Sequence, residues 1–119
     1  MRLEVVDSGE NLAVMAFAPG RRLNTGTAGL DLFPGMWGGR YWFARLLVRE
    51  QWRGKGVGSA ILRRVQEHCT ARQLGIYCLP NPYGDGSMEA LVRFYDRHGF
   101  QAQADGALVW DPVPGPVAV

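Results

Sequence analysis

The stretch Arg53-Gly54-Lys55-Gly56-Val57-Gly58-Ser59 sets a glycine at every second position between two segments of opposite character. Before it, residues 41–48 (YWFARLLV) are apolar on alternate positions, with Trp42, Ala44, Leu46 and Val48 on one face and Tyr41, Phe43 and Leu47 on the other. That pattern predicts a central strand covered on both sides. After it, Val57, Ile61, Val65 and Cys69 recur every four residues within 56–73, joined by Leu62, while Arg63, Arg64, Glu67 and Arg72 take other positions. This is the period of an amphipathic helix. Glycines let the turn between strand and helix curl closely around a ligand with its N–H groups pointing inward. The helix N-terminus adds partial positive charge, and Arg53 and Lys55 add more, so the turn is suited to a pyrophosphate.

Working toward the N-terminus, the chain reads as sheet. Met1, Leu3 and Val5 alternate with Arg2 and Glu4 as a half-buried strand does, and Ser8-Gly9-Glu10-Asn11 reads as a hairpin turn. Residues 12–18 form a strand apolar on both faces that ends at Pro19-Gly20, residues 21–29 a mobile loop, and residues 28–33 a third strand before the turn-rich 34–39. Toward the C-terminus, Ile76-Tyr77-Cys78-Leu79 is a short buried strand stopped by Pro80, followed by a loop over 81–86. A second helix begins at Ser87 as N-cap with Glu89 in its first turn. It carries a stripe of Met88, Leu91 and Tyr95 and ends at Gly99. Residues 100–103 and 107–110 pair as a hairpin around Asp105-Gly106, and residues 112–119 form a Pro-rich tail.

A chain of 119 residues, 47% hydrophobic and 20% charged, is enough for one cored domain spanning 1–119. No run approaches the roughly 18 apolar residues of a membrane span, which predicts a soluble cytoplasmic protein. Cys69 and Cys78 form no disulfide framework, and no metal-ligand spacing occurs, so no metal is expected. His68 and His98 each stand alone and read as helix-surface and helix-end side chains. Seven of the thirteen bases lie in residues 40–64 against the single acid Glu50, a local formal charge of +6. Such a concentration points to an anionic partner, and charge alone leaves a small phosphorylated ligand and a nucleic acid both open.

Spacing narrows the ligand. No phosphate loop of the form Gly, four residues, Gly-Lys-Ser/Thr occurs, and the glycines do not fit the dinucleotide fingerprint. They do match R/Q-x-x-G-x-G/A, as Arg53, Gly56 and Gly58. Downstream, Arg93-Phe94-Tyr95-Asp96-Arg97-His98-Gly99-Phe100 contains F-Y-x-x-x-G-F at the end of the last helix. These two motifs, in this order, resemble the GNAT N-acetyltransferase superfamily, and the resemblance covers residues 41–110.

The resemblance implies an α+β fold with a central mixed sheet and two main helices, and acetyl-CoA as donor. It assigns the backbone of Leu46, Leu47 and Val48 to the pantetheine and thioester. The amides of Gly54, Lys55, Gly56, Val57, Gly58 and Ser59, with Arg53, then hold the pyrophosphate. Tyr95 becomes the acid that protonates the leaving thiolate, a role suited to a phenol with its ordinary pKa of about 10. Phe94 reads as core. The family's asparagine at the start of the last helix is replaced by Met88, and Asn81, 14 residues before Tyr95, is the candidate carried over. No acid lies in residues 76–80, where some relatives hold a general base, so Glu50, Asp31 and Glu4 remain as candidates.

The expected function is therefore acetyl transfer from acetyl-CoA to an unidentified primary amine. The alternative is a catalytically silent CoA-binding module, favoured by the missing base. A nucleic-acid binder lacks a recognisable reading helix or aromatic RNA-binding motif. Relatives commonly place two helices between their first two strands, whereas residues 8–11 leave room only for a turn. An open acceptor face is expected, or one completed by the second subunit of a homodimer. The aromatic cluster Trp37, Tyr41, Trp42 and Phe43 reads as strand packing, with an acceptor pocket or dimer contact as its other use.

Overall fold

The computed structural model describes residues 1–33, 36–82 and 86–113. Seven strands, β1 (Arg2–Asp7), β2 (Asn11–Phe17), β3 (Gly26–Leu32), β4 (Tyr41–Val48), β5 (Ile76–Cys78), β6 (Gln101–Ala102) and β7 (Leu108–Trp110), form one sheet in the order β1-β2-β3-β4-β5-β7-β6. Every pairing is antiparallel except β4 with β5. That crossover is made by α1 (Val57–Arg72), and α2 (Met88–Arg97) connects β5 to the terminal hairpin. The β1–β2 link is the expected turn, closed by Ser8 N–H to the Asn11 carbonyl (3.0 Å), with no helix pair between the strands. No helix of the described residues is long and apolar enough to cross a membrane. The expected tail beyond Val113 lies outside the described residues, as do parts of the 34–39 and 81–86 turns.

Three expectations are corrected. The third strand starts at Gly26, so the loop read over 21–29 is shorter. Buried Thr25 anchors the change: its N–H (2.7 Å) and hydroxyl (3.2 Å) both donate to the Ala16 carbonyl. Gly26 then enters the sheet under β4, where only a residue without a side chain fits, because a Cβ would stand 2.9 Å from the Leu47 carbonyl oxygen.

The second correction concerns β4. Leu30 pairs with Phe43, but Gly29 pairs with Arg45, so Ala44 is an extra residue and the ladder bulges there. The bulge resets the alternation. Tyr41, Phe43, Leu46 and Val48 share one face, opposite Leu32, Leu30, Ala28 and Gly26, while Trp42, Arg45 and Leu47 share the other. Both helices pack on the first face: α1 brings Ile61 against Gly26 and Arg72 to the Tyr41 hydroxyl, and α2 sets Tyr95 edge-on to Phe43. The core of Leu12, Val14, Ile61, Leu62, Val65 and Ile76 fills that side. β4 is thus not covered on both sides. Among the described residues the second face carries only the 3-10 turn Trp37–Gly39, whose Trp37 ring stacks on Trp42 (4.9 Å) and Tyr77 (4.7 Å), and Leu47 on that face is 42% exposed.

The third correction is the α2 stripe. Ser87 caps the helix as expected, accepting from Ala90 N–H at 3.0 Å, and Tyr95 is buried, but Met88 is 46% exposed. Leu91, Phe94 and Tyr95 of α2 reach the core, while the first turn stays outside it. Ionic ties close the ends of the fold. Asp7 of β1 meets His68 (2.7 Å) and Arg72 (3.3 Å) of α1, so His68 is not a lone surface histidine. Arg40 donates twice to Asp111 (2.8 and 2.7 Å), which removes one base of the 40–64 cluster from any ligand.

Two substitutions test this packing. Gly26→Ala forces the strand from the Leu47 carbonyl and costs about 1–3 kcal/mol in chemical denaturation. Gly29→Ala meets only ordinary contact with Arg45, at 3.6 Å and beyond, and stays near wild type. For Asp7, the Gly9 N–H, then the His68 and Arg72 interactions, hold the carboxyl below its ordinary pKa. A depressed folded pKa stabilises above the unfolded value of about 4 and is lost as pH falls through the folded one. Asp7→Asn therefore lowers Tm by a few degrees at pH 7, and the difference from wild type closes as the pH drops below about 4.

Candidate active site

Strands β4 and β5 pair only through Tyr41–Ile76, Trp42–Tyr77 and Phe43–Cys78. There β5 ends and Leu79-Pro80 diverges, because proline offers no N–H to continue a ladder. β4 runs on through Ala44, Arg45, Leu46, Leu47 and Val48, held by β3 on one edge and without a strand on the other. The resulting cleft, about 1020 Å³, lies between this edge, residues 79–82 and the N-terminal half of α2. Its wall includes Leu46, Leu47, Val48, Arg53, Asn81 and Tyr95, all candidates from the sequence.

A second cavity of about 470 Å³ adjoins the first and shares Leu46, Val48, Arg53 and Phe94 with it. Its floor is Gly54, Gly56, Val57, Gly58 and Ser59 at the start of α1. Gly54 and Gly56 hold left-handed φ of 74° and 81°, and Gly56 caps the helix with no side chain over the first turn. The opening N–H groups of α1 consequently stay available to an anion. Gly58 brings helix, strand and α2 together, since a Cβ there would touch Val48 and Phe94 at 3.6 Å. Arg53 turns back over the junction and donates from Nε to the Val48 carbonyl (3.0 Å). Lys55 is exposed and lies outside both linings.

Tyr95 is 4% exposed and packed by Phe43, Phe94 and Phe100 at ring distances of 6.1, 5.3 and 5.1 Å. A hydrogen bond joins it to Cys78, which shares the cleft wall. Burial pushes the Cys78 thiol up to about 11, with the Tyr95 bond pulling the other way. Of the three candidate bases, Glu50 alone is on the cleft wall. Glu4 pairs with Arg2 (3.3 Å) on the edge strand, and Asp31 accepts from Asn11 on the helix-free face.

Some of the site escaped the sequence reading. Phe94, expected in the core, is half-buried and forms the wall between the two cavities. Arg97 lines the glycine cavity; its i+3 spacing from Phe94 was the available signal. His98, expected at a free helix end, is half-buried with Nε2 3.2 Å from the Ser59 hydroxyl. Burial, then Arg63 and Arg97, lowers its pKa.

A family model described as an acetyltransferase (GNAT) domain matches residues 9–102. No curated protein matches the chain by sequence. Solved structures match in fold. The anti-CRISPR protein AcrVA5 is 18% identical with a TM-score of 0.65, over 85% of this chain and 98% of that one. Arabidopsis thaliana NAA60, in complex with a bisubstrate analogue, is 14% identical with a TM-score of 0.70, over 88% and 77%. An aminoglycoside 6'-N-acetyltransferase complexed with coenzyme A is 16% identical with a TM-score of 0.65, over 92% and 77%.

The thiols provide a check on the cleft as drawn. Burial pushes Cys69 up to about 12, beside the value of about 11 for Cys78, so neither is a thiolate near neutrality. A thiol reagent at about pH 8 leaves both unlabelled in the native protein and labels both in denaturant; rapid native labelling of Cys78 would show an open cleft floor.

Proposed function

The chain belongs to the GNAT acetyltransferase family, and on that premise we propose that it moves the acetyl group of acetyl-CoA to a primary amine by direct attack. One observation carries the reading. The cleft along the unpaired edge of β4 adjoins the cavity over the glycine turn at the start of α1, with the 3-10 turn Glu50–Trp52 linking strand and glycine turn in the chain. A channel of this form fits an elongated ligand with a thioester at one end and a pyrophosphate at the other. The relative that holds coenzyme A supports the same ligand class.

In this reading the amides of Gly54, Lys55, Gly56, Val57, Gly58 and Ser59 and the Arg53 guanidinium bind the pyrophosphate. The β4 edge at Leu46, Leu47 and Val48 offers backbone groups to the pantetheine, a role a continued β5 would have taken. Asn81 contributes its amide from the opposite wall. The amine nitrogen bonds to the acetyl carbon, the carbon–sulfur bond breaks, and Tyr95 gives its proton to the departing thiolate. The proton leaving the amine passes to water beside Glu50. Arginines expected of a nucleic-acid surface are engaged elsewhere: Arg40 with Asp111, Arg49 with the Asn24 carbonyl and Arg64 with Glu67. Two buried free thiols suit the reducing cytoplasm.

A thermal-shift series with acetyl-CoA, CoA, ATP and duplex DNA tests the ligand. Both CoA species raise Tm, by the equivalent of about 2.7 kcal/mol at a hundredfold excess over Kd. No stabilisation by either overturns the reading. Thiol release with a panel of amines then separates an enzyme from a silent CoA-binding module, the second reading, which Glu50 as the one carboxylate on the cleft wall among the described residues favours. Tyr95→Phe retains CoA binding and loses on the order of a hundredfold in turnover; unchanged turnover removes Tyr95 from the acid role.

A further inference from the structure

The C-terminal end of α2 carries bases that the acetyl-transfer chemistry does not use. Arg97 lines the glycine cavity on the same face of α2 as Phe94. His98 follows it, with Nε2 3.2 Å from the Ser59 hydroxyl, its ring against Phe94 at 5.0 Å, and its carbonyl accepting from Gln66 Nε2 at 2.8 Å. The end of α2 is thereby fixed to the first three turns of α1. Arg63 lies one turn beyond Ser59 on α1, and after burial its charge and that of Arg97 lower the His98 pKa. Both arginines are exposed, and among the described residues neither has a carboxylate within ion-pair distance. Two exposed guanidiniums beside His98, one of them, Arg97, on the cavity wall, repel each other unless an anion joins them.

We propose that Arg97, Arg63 and His98 form a second anion subsite, separate from the glycine turn, which takes the 3′-phosphomonoester on the adenosine end of CoA. The assignment rests on the acetyl-CoA reading above and extends it to cofactor selection. The pyrophosphate is served by backbone N–H groups and Arg53. A terminal phosphomonoester carries a charge of about −1.5 to −2 and three acceptor oxygens, which match guanidinium forks better than a single amide row does. The subsite would make the protein discriminate CoA from its 3′-dephospho form, although the two share every atom that reaches the thioester.

Isothermal titration with CoA and with 3′-dephospho-CoA tests this on wild type, Arg97→Gln and Arg63→Gln, with Tm as the control for folding. Wild type binds CoA on the order of tenfold more tightly, as expected for one or two charge-assisted contacts at an exposed site. Arg97→Gln brings the two affinities to within about twofold while leaving that for 3′-dephospho-CoA unchanged, and Arg63→Gln narrows the gap part of the way. Equal affinities in wild type overturn the subsite. So does an Arg97→Gln variant that weakens both ligands equally, because Arg97 would then serve the pyrophosphate. If neither ligand binds wild type, the acetyl-CoA reading falls first and takes the subsite with it, a result distinct from equal binding.

Discussion

Four residues of β4, Arg45 to Val48, have a strand partner on one edge only, and most of what this protein can do follows from that. Backbone N–H and C=O groups in a protein interior are almost always paired. Here β5 stops at Cys78 and the chain leaves through Leu79-Pro80, so the groups of Ala44 to Val48 face a cleft where a parallel neighbour would otherwise lie. An extended ligand can supply the missing pairing. Because the cleft beside β4 adjoins the cavity over the glycine turn, a ligand that completed the sheet would also meet the positive end of α1. Sheet, turn and helix dipole therefore act on one molecule.

The bulge at Ala44 decides which residues see that ligand. Without it, Leu46 and Val48 would share a face with Trp42; with it they join Phe43 beneath the helices. The cleft lining accordingly holds side chains from both faces of β4, with Phe43 and Leu46 on the helix side and Trp42 and Arg45 on the other. The helix side is crowded with aromatic rings around Tyr95. The opposite side bears small residues, Ala13 and Gly29, beside the stacked Trp37, Trp42 and Tyr77. A short β1–β2 turn leaves that side without a helix, which gives the domain one dry face and one accessible face.

Charge is distributed with the same logic. The run of bases in residues 40–64 does not form one patch. Arg40 secures β7 through Asp111, Arg49 holds the carbonyl before Thr25, and Arg53 crosses the β4–α1 junction. The cavity at the helix start gains Arg97 from α2 beside Arg53, and His98 braces its wall through Ser59. Local sequence charge was thus a poor guide to which bases line the cavity, because side chains from distant segments converge only when the helices pack.

Much of the fold was legible in short-range pattern. The period of α1, its glycine start, the Ser87 cap and the terminal hairpin are properties of contiguous residues governed by local hydrogen bonding, and each stands where the spacing puts it. The motif Arg53 to Ser59 and the Phe94-Tyr95 pair marked the family for the same reason. The start of β3, the facing of β4 and the exposure of Met88 were not legible, since a buried threonine, a one-residue bulge and the depth of a helix are set by what lies across the sheet. The sequence by itself determined the strand-turn-helix and the tyrosine on which the proposed chemistry rests. Only the tertiary structure decided that Glu50 alone of the three acids meets the cleft, that Phe94 stands between the two cavities, that Arg97 lines the glycine cavity and that His98 meets Ser59. Contacts between residues as far apart as Ser59 and His98 are made by packing, which no local pattern encodes.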